Sequence, residues 1–400
     1  MKFRNKPKKR IYLDYAATTP VDPRVVKAMS SYWTEKFGNA MSIHSFGQEA
    51  KEALEKSRET VADLMGAKPS EIIFTSSATE SNNLALKGVG LASLSRERSG
   101  FANKNKGKHI IISQIEHLCI IKITKWLEKQ GFEITHLGVD KYGFVNPKEV
   151  ERAIKKETIL VSIIHGSNEI GTIQPIKEIG KICKNKGVYL HTDAVQSFGK
   201  IPIDVNKMNI DLLTASSHKM YGPKGVGCLF IREGIKIEPV LHGSGQEFGI
   251  RPSTVNLSGI VGFAEACKIA KKEMEKEGQR LIKLRDKLIK EVLRKIKGSY
   301  LNGLPKNRLP NNINFRFNGA EGESIVIHLD LLGIAVSTGS ACSSNNLKPS
   351  HILLALGLKP EETHGSIRIT LGKWTTEKEI NYFLKVLPEI IKKLRKLAGD

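Results

Sequence analysis

Short apolar runs rich in branched residues alternate along this chain with longer stretches in which apolar residues recur every three or four positions. The first kind predicts strands over residues 71–75, 108–113, 132–137, 159–165, 188–193, 212–216 and 227–232. The second predicts intervening helices, for example over 120–130, 147–156 and 176–186. Such alternation is the pattern of a mostly parallel sheet covered by helices. The character changes near residue 258. From there to about 296 the pattern is helical and heavily charged. A strand–helix–strand reading follows over 312–317, 323–330 and 367–371, and an amphipathic helix over roughly 377–397 closes the chain. The expectation is an α/β protein with a large domain over 21–257, a smaller α/β domain over 258–400, and residues 1–20 packed with the smaller one. The polar, breaker-rich stretch 91–107 reads as an exposed loop or helix extension.

Composition narrows this only a little. The chain has 400 residues, enough for a large buried core, and 40% of them are hydrophobic. No apolar run approaches the roughly 20 residues that a membrane helix needs. The basic start is followed by Ile11-Tyr-Leu-Asp14 rather than a signal-peptide core, so a cytoplasmic protein with no membrane partner is expected. A net charge of +22 attracts nucleic acid and acidic partners without specificity. The basic residues are nevertheless scattered among Glu, and with aromatics at 6% there is no stacking platform for RNA. Five widely spaced cysteines without a Cys-x-x-Cys pair argue against a disulfide framework or a structural zinc site. Cys119, Cys183, Cys228 and Cys267 fall in apolar runs, where inert buried thiols are expected; Cys342 does not.

The chemistry concentrates at the ends of the apolar runs. Asp193 closes one in His-Thr-Asp193-Ala-Val-Gln196, and Lys219 follows another in Ser216-Ser217-His218-Lys219, twenty-six residues on. A lysine for a Schiff base and a carboxylate for a pyridinium nitrogen are the pair that pyridoxal phosphate requires. Strand ends are where open α/β sheets bind ligands. Small hydroxyl residues around Ala78 and Thr79, just after a strand, leave backbone N–H groups free for an anion, and Ser216 and His218 add donors. His117 ends another run and suits stacking on a ring or moving protons. Asn168 and Gln196 sit where a side-chain amide meets a ring's phenolic oxygen. Arg368, in a short apolar strand, suits a carboxylate or an internal ion pair equally well. Cys342 lies among small polar residues, Gly-Ser-Ala-Cys342-Ser-Ser-Asn-Asn, a composition that predicts a mobile exposed loop and a reactive thiol.

Taken in order, Tyr12-Leu-Asp-Tyr-Ala-Ala-Thr-Thr-Pro20, Phe-Thr75-Ser-Ser-Ala-Thr-Glu80-Ser-Asn-Asn, Ile-Glu-His117, Asn168-Glu-Ile-Gly, His-Thr-Asp193-Ala-Val-Gln, Ser-His-Lys219-Met-Tyr-Gly-Pro-Lys-Gly, Gly-Ser-Ala-Cys342 and Ser-Ile-Arg368 resemble the cysteine desulfurases of the IscS/NifS type, within the class-V aminotransferases. The resemblance runs from about residue 10 to 397. It implies the fold type I architecture of pyridoxal-phosphate transferases, acting as a homodimer. Lys219 would carry the cofactor, Asp193 would bind the pyridine nitrogen, and His117 would stack on the ring. Asn168 and Gln196 would contact the phenolic oxygen. Ala78, Thr79, Ser216, Ser217 and His218 would hold the phosphate, with Thr254 reaching it from the partner subunit. Arg368 with Asn168 would orient the carboxylate of L-cysteine, and Cys342 would take the sulfur as a persulfide, leaving L-alanine. Sulfur would pass to an iron–sulfur scaffold protein and to acceptors for tRNA thiolation, with tRNA engaged only indirectly. No intrinsic metal is implied, beyond the Cys342 persulfide as a transient ligand of a nascent cluster. Ser167, Ser217 and the Arg251-Pro-Ser-Thr254 segment depart from the usual family pattern. The rival readings are a selenocysteine lyase on the same scaffold and a nucleic-acid-binding protein that has lost the cofactor.

Overall fold

The computed structural model describes residues 10–94, 107–338 and 349–399. In chain order the elements are β1 (Ile11–Tyr12), α1 (Pro23–Ser30), α2 (Ser45–Met65), β2 (Ile72–Thr75), α3 (Ala78–Leu94), β3 (His109–Ser113), α4 (Leu118–Lys129), β4 (Glu133–Leu137), α5 (Pro147–Ala153), β5 (Thr158–Ser162), α6 (Ile176–Lys186), β6 (Tyr189–Asp193), β7 (Leu212–Ser216) and β8 (Gly227–Ile231). There follow α7 (Leu257–Lys295), β9 (Ser299–Leu301), β10 (Asn312–Phe317), α8 (Gly322–Leu331), β11 (Ile334–Ala335), β12 (Ser337–Thr338), α9 (His351–Ala355), α10 (Pro360–His364), β13 (Ser366–Thr370) and α11 (Glu377–Ala398).

A seven-stranded sheet in the order β2-β8-β7-β6-β5-β3-β4 forms the centre, and all its strands fall on runs that the pattern predicted. Strands β7, β6, β5, β3 and β4 are parallel, whereas β8 runs antiparallel to both β2 and β7. The reason is the connection. Ten residues, 217–226, join β7 to β8, fewer than a parallel crossover takes, so the chain must turn back. Helices cover both faces, which explains the unbroken apolar runs. Ile111, Val161, Leu190 and Leu213 belong to one core, and Ile110, Ile112, Leu160 and Leu212 to the core on the opposite face.

A second sheet, antiparallel in the order β12-β13-β10-β9, packs with α8, α11 and the second half of α7 around Phe315, Ile325, Ile367 and Phe383. Helix α7 spans 39 residues, about 60 Å, and links the two cores. Leu257, Ile260 and Phe263 pack into the first, Leu281, Leu288 and Val292 into the second. The side chain of Asn256 accepts from the N–H of Gly259 at its start, closing one orphan donor. The chain start joins here too: β1 pairs in parallel with β11, and Leu13 and Thr370 exchange a main-chain bond.

Some boundaries moved. The helix predicted to 156 ends at Ala153, and the strand predicted to 165 ends at Ser162. Strands β1, β9, β11 and β12 were not predicted, each being two or three residues long. Of the stretch 91–107, the first residues continue α3 to Leu94; positions 95–106 lie outside the described residues.

Candidate active site

Every parallel strand of the large sheet except the edge strand β4 delivers a side chain to one cavity of about 490 Å³ at the carboxyl ends. His117 follows β3, Asn168 and Glu169 follow β5, Asp193 and Gln196 lie at the end of β6, and Ser216, His218 and Lys219 at the end of β7. Ala78 and Thr79 open α3, and Arg368 enters from β13. The structure thus brings ten of the thirteen predicted site residues, all but Ser217, Thr254 and Cys342, into contact with one space: Ala78, Thr79, His117, Asn168, Asp193, Gln196, Ser216, His218, Lys219 and Arg368 line it.

 Ser217 is buried in the turn that leads to Lys219 and does not line the cavity. Thr254 is exposed and outside this cavity, and Cys342 lies outside the described residues.

The Lys219 turn is tightly built. The N–H groups of Met220 and Gly222 both donate to Ser217 O, and a Cβ on Gly222 would stand 2.0 Å from Ser217 Oγ, so a larger residue here requires the Ser217 side chain to move. Thr19 N–H and Oγ1 both donate to His218 O, which laces the chain start to the turn. Lys219 Nζ donates to Ala16 O and Ala17 O at 2.7 Å each. His218 meets Thr18 Oγ1 through Nδ1 at 3.1 Å; burial, with Lys219, Lys224 and Lys200 nearby, pulls it down to about 4, so it stays neutral.

Asp193 is buried and held at both oxygens: Oδ2 accepts from Asn82 Nδ2 at 2.8 Å, Oδ1 from Val195 N at 3.0 Å. His117 is the residue preceding α4, and its Nδ1 accepts from Cys119 N at 3.2 Å, which leaves the proton of the neutral ring on Nε2. Cys119 was expected to be an inert buried thiol. It instead lines the cavity, partly exposed, with Sγ 3.0 Å from His117 Nδ1 and 3.2 Å from Asn82 Nδ2, because α4 begins at the cavity wall rather than beneath it. Arg368 makes the internal ion pair foreseen as one of its two uses. Nη2 pairs with Asp14 at 2.9 Å and Nη1 donates to Asn168 O at 3.1 Å, while its buried Nε has no partner among the described residues. Ser167 Oγ accepts from the N–H groups of Glu169 and Ile170 and shapes the Asn168 turn.

Several contributors escaped the sequence reading. Glu116 and Glu169 are both buried, and burial pushes their carboxyls up to about 8 and about 7. Ser350 Oγ donates to Glu169 Oε2 at 2.6 Å and also caps α9, while His351 Nε2 donates to Glu116 O at 2.9 Å. Their sequence signal was weak: an acid beside each flagged residue, in Glu116-His117 and Asn168-Glu169. Asn82, at the fifth position of α3, had no signal at all.

A half-buried lysine, a buried carboxylate and a helix start lining one cavity at the strand ends define a pyridoxal-phosphate pocket of an α/β transferase. Comparison with known proteins is specific. The class-V aminotransferase family model matches residues 11–383. A cysteine desulfurase IscS from Dictyoglomus turgidum is 54% identical, over 98% of this chain and 97% of its own. One from Methanosarcina thermophila is 50% identical, over 98% and 94%. Among solved structures, a NifS-like protein superimposes with a TM-score of 0.88 at 40% identity, covering 96% of this chain and all of its own. SspA in complex with cysteine gives 0.80 at 35% identity, over 92% and 100%. The chain belongs to the class-V aminotransferases and, within them, to the cysteine desulfurases.

Proteins of this family depend on pyridoxal 5'-phosphate, and the residues present fit it. The first N–H groups of α3, at Ala78 and Thr79, have no intrahelical acceptor and face the cavity, a place for the phosphate. The buried Oδ1 atoms of Asn82 and Asn168 lack partners among the described residues, and both residues line the same space.

Proposed function

We propose that this cysteine desulfurase takes sulfur from L-cysteine onto Cys342 as a persulfide, releases L-alanine, and hands the sulfur to an iron–sulfur scaffold protein and to acceptors serving tRNA thiolation. The observation that carries the reading is the single cavity that joins Lys219, Asp193, His117 and Arg368. Pyridoxal phosphate, bound through Lys219, supplies an electron sink for a carbanion at the substrate Cα. Asp193, fixed by Asn82, holds the ring nitrogen protonated. Ala78, Thr79, Ser216, Ser217 and His218 hold the phosphate, and Asn168 and Gln196 the phenolic oxygen. Arg368 binds the substrate carboxylate with Asn168; its Asp14 pair keeps the fork in place. Lys219 removes the Cα proton, and His117, protonated on Nε2, exchanges a proton with the substrate sulfur. The Cys342 thiolate attacks that sulfur: the S–S bond forms, the C–S bond breaks, and the carbon fragment is protonated to alanine.

Cys342 stands four positions after Thr338 and eight before Ser350. Thr338 pairs with Ile367, next to Arg368, and Ser350 lines the cavity, so a chain covering at most roughly 3.6 Å per residue is long enough to bring the thiol to it. The enzyme acts as a cytoplasmic homodimer in which Thr254 contributes to the partner's phosphate site. Supporting this, Thr254 is exposed while nearby Arg251 pairs with Glu80 in the first turn of α3. Support for a division into 21–257 and 258–400, with 1–20 packed on the latter, comes from the two cores, the second of which holds Ile11 and Leu13; the start of α7, with Ile260 and Phe263, still packs into the first. The net charge of +22 favours acceptors with acidic docking faces.

The test is absorbance of the loaded protein before and after L-cysteine with a reductant, with alanine and sulfide measured. The wild type forms both. Cys342→Ser keeps the absorbance response and loses product formation by at least 100-fold. Undiminished sulfur transfer by Cys342→Ser would overturn the persulfide assignment.

A further inference from the structure

Cys119 has no role in the scheme above, yet among the described residues it is the one thiol that a small molecule can reach. Cys183, Cys228 and Cys267 are closed off: burial pushes the first two up to about 12 and the third well above its usual value. Cys119, by contrast, is partly exposed, and it lines the cavity.

Its neighbours say which part of the cavity. Cys119 Sγ lies 3.0 Å from His117 Nδ1, which accepts the Cys119 N–H and so serves as the acceptor for the S–H. On another side Asn82 Nδ2 donates to Sγ at 3.2 Å, and its other hydrogen goes to Asp193 Oδ2 at 2.8 Å. One amide nitrogen therefore touches both the thiol and the carboxylate read as the partner of the ring nitrogen. Asn82 is itself wholly buried, lines the same cavity, and has an Oδ1 without a partner among the described residues. The thiol thus stands in the wall of a ligand site, and with His117 and Asn82 against it, its open side is the cavity.

A disulfide at Cys119 places a second sulfur about 2 Å beyond Sγ, with a carbon beyond that. A ring bonded to Asp193 needs the same volume. Two occupants of one space weaken each other by the same factor.

We propose that Cys119 is a modification site in the wall of the cofactor pocket: it forms a mixed disulfide with low-molecular-weight disulfides when the pocket is empty, and that adduct blocks cofactor binding until it is reduced. In this step the Cys119 sulfur attacks one sulfur of the disulfide. The protein–reagent S–S bond forms, the reagent's own S–S bond breaks, and the second half leaves as a thiol with the proton that Cys119 gave up. Cys119 is oxidised and the leaving half is reduced, so the disulfide is the only co-reactant. The proposal rests on the reading of Asp193 and Lys219 as the cofactor residues.

The experiment treats cofactor-free and pyridoxal-phosphate-loaded wild type with 2-hydroxyethyl disulfide. Adducts are read by peptide mass spectrometry, and later loading with pyridoxal phosphate by absorbance. Cofactor-free protein should carry the adduct on Cys119 and bind the cofactor at least about tenfold more weakly, and prior loading should slow the adduct by a similar factor. Dithiothreitol should restore loading. Cys119→Ala, which keeps Cys342, should load equally well before and after treatment. If that variant loads poorly from the start, the wild type decides alone, because its loss of loading must follow occupancy of Cys119 and not of Cys342. No adduct on Cys119, equal adduct in empty and loaded protein, or normal loading of protein blocked at Cys119 would overturn the proposal. Borohydride reduction of untreated loaded protein tests the underlying reading separately. A pyridoxyl group on Lys219 upholds it, whereas one on another lysine, or failure of untreated protein to load, removes it and the proposal together.

Discussion

Glu116 sits in an environment far from that of an ordinary surface carboxylate. Oε1 accepts from Ser113 Oγ at 2.5 Å and Ile164 N at 2.8 Å, while the buried Oε2 has no partner among the described residues. Two donors do not offset the loss of water, and the carboxyl rises to about 8. A raised acid binds its proton more tightly in the folded chain. Its contribution to stability is complete below the unfolded value near pH 4.5 and disappears as pH rises to about 8. Each unit in that window corresponds to about 1.4 kcal/mol. Glu116→Gln keeps an acceptor for Ser113 and Ile164 and does not titrate. Its melting temperature, relative to wild type, should therefore climb between pH 5 and pH 8. A constant difference across that range would show that Glu116 is ionised in the fold.

At the scale of elements, α6 shows how close backbone approach sets a limit that helix propensity cannot override. Its Gly180 lies against the turn leading to β7, where an added Cβ would stand 2.0 Å from Met208 O. Alanine gains about 1 kcal/mol of helix propensity over glycine, yet an overlap with backbone forces the helix away, typically at 1–3 kcal/mol or more. The clash wins, so Gly180→Ala should lower the denaturant midpoint; a rise would mean that α6 slides freely. The same scale explains what could be read in advance. Strands β2, β3, β5, β7 and β8 are buried on both faces, so each wrote a mostly apolar run, whereas the edge strand β4 is largely exposed. Strands β11 and β12, two residues each, bury too little for any pattern to form. Residues flagged at run ends, such as Asp193 and Lys219, were legible because parallel strands all finish at the same edge. Asn82 was not, because its meaning comes from a partner 111 positions away in sequence.

For the whole molecule, charge is the property left over. A chain with 63 Lys and Arg against 41 Asp and Glu repels itself when compact. Surface ion pairs such as Lys271–Asp63 and Lys287–Glu377 tie separate parts of the chain together, though each contributes at most about 1 kcal/mol. Raising ionic strength from about 0.02 to 0.3 M shortens the screening length to less than a third. The melting temperature of the cofactor-loaded protein is expected to rise over that interval. A fall would mean that attractive pairs outweigh the net repulsion.

The sequence by itself determined the α/β layering, the strands of the large sheet and the run ends at which the reactive residues sit. These depend on local periodicity and on the rule that parallel strands share one edge. Only the tertiary structure decided the partial exposure of Cys119, the raised carboxyls of Glu116 and Glu169, and the contact of Asn82 with Asp193. Each of these depends on burial and on neighbours remote in sequence, and desolvation is a property of the assembled fold.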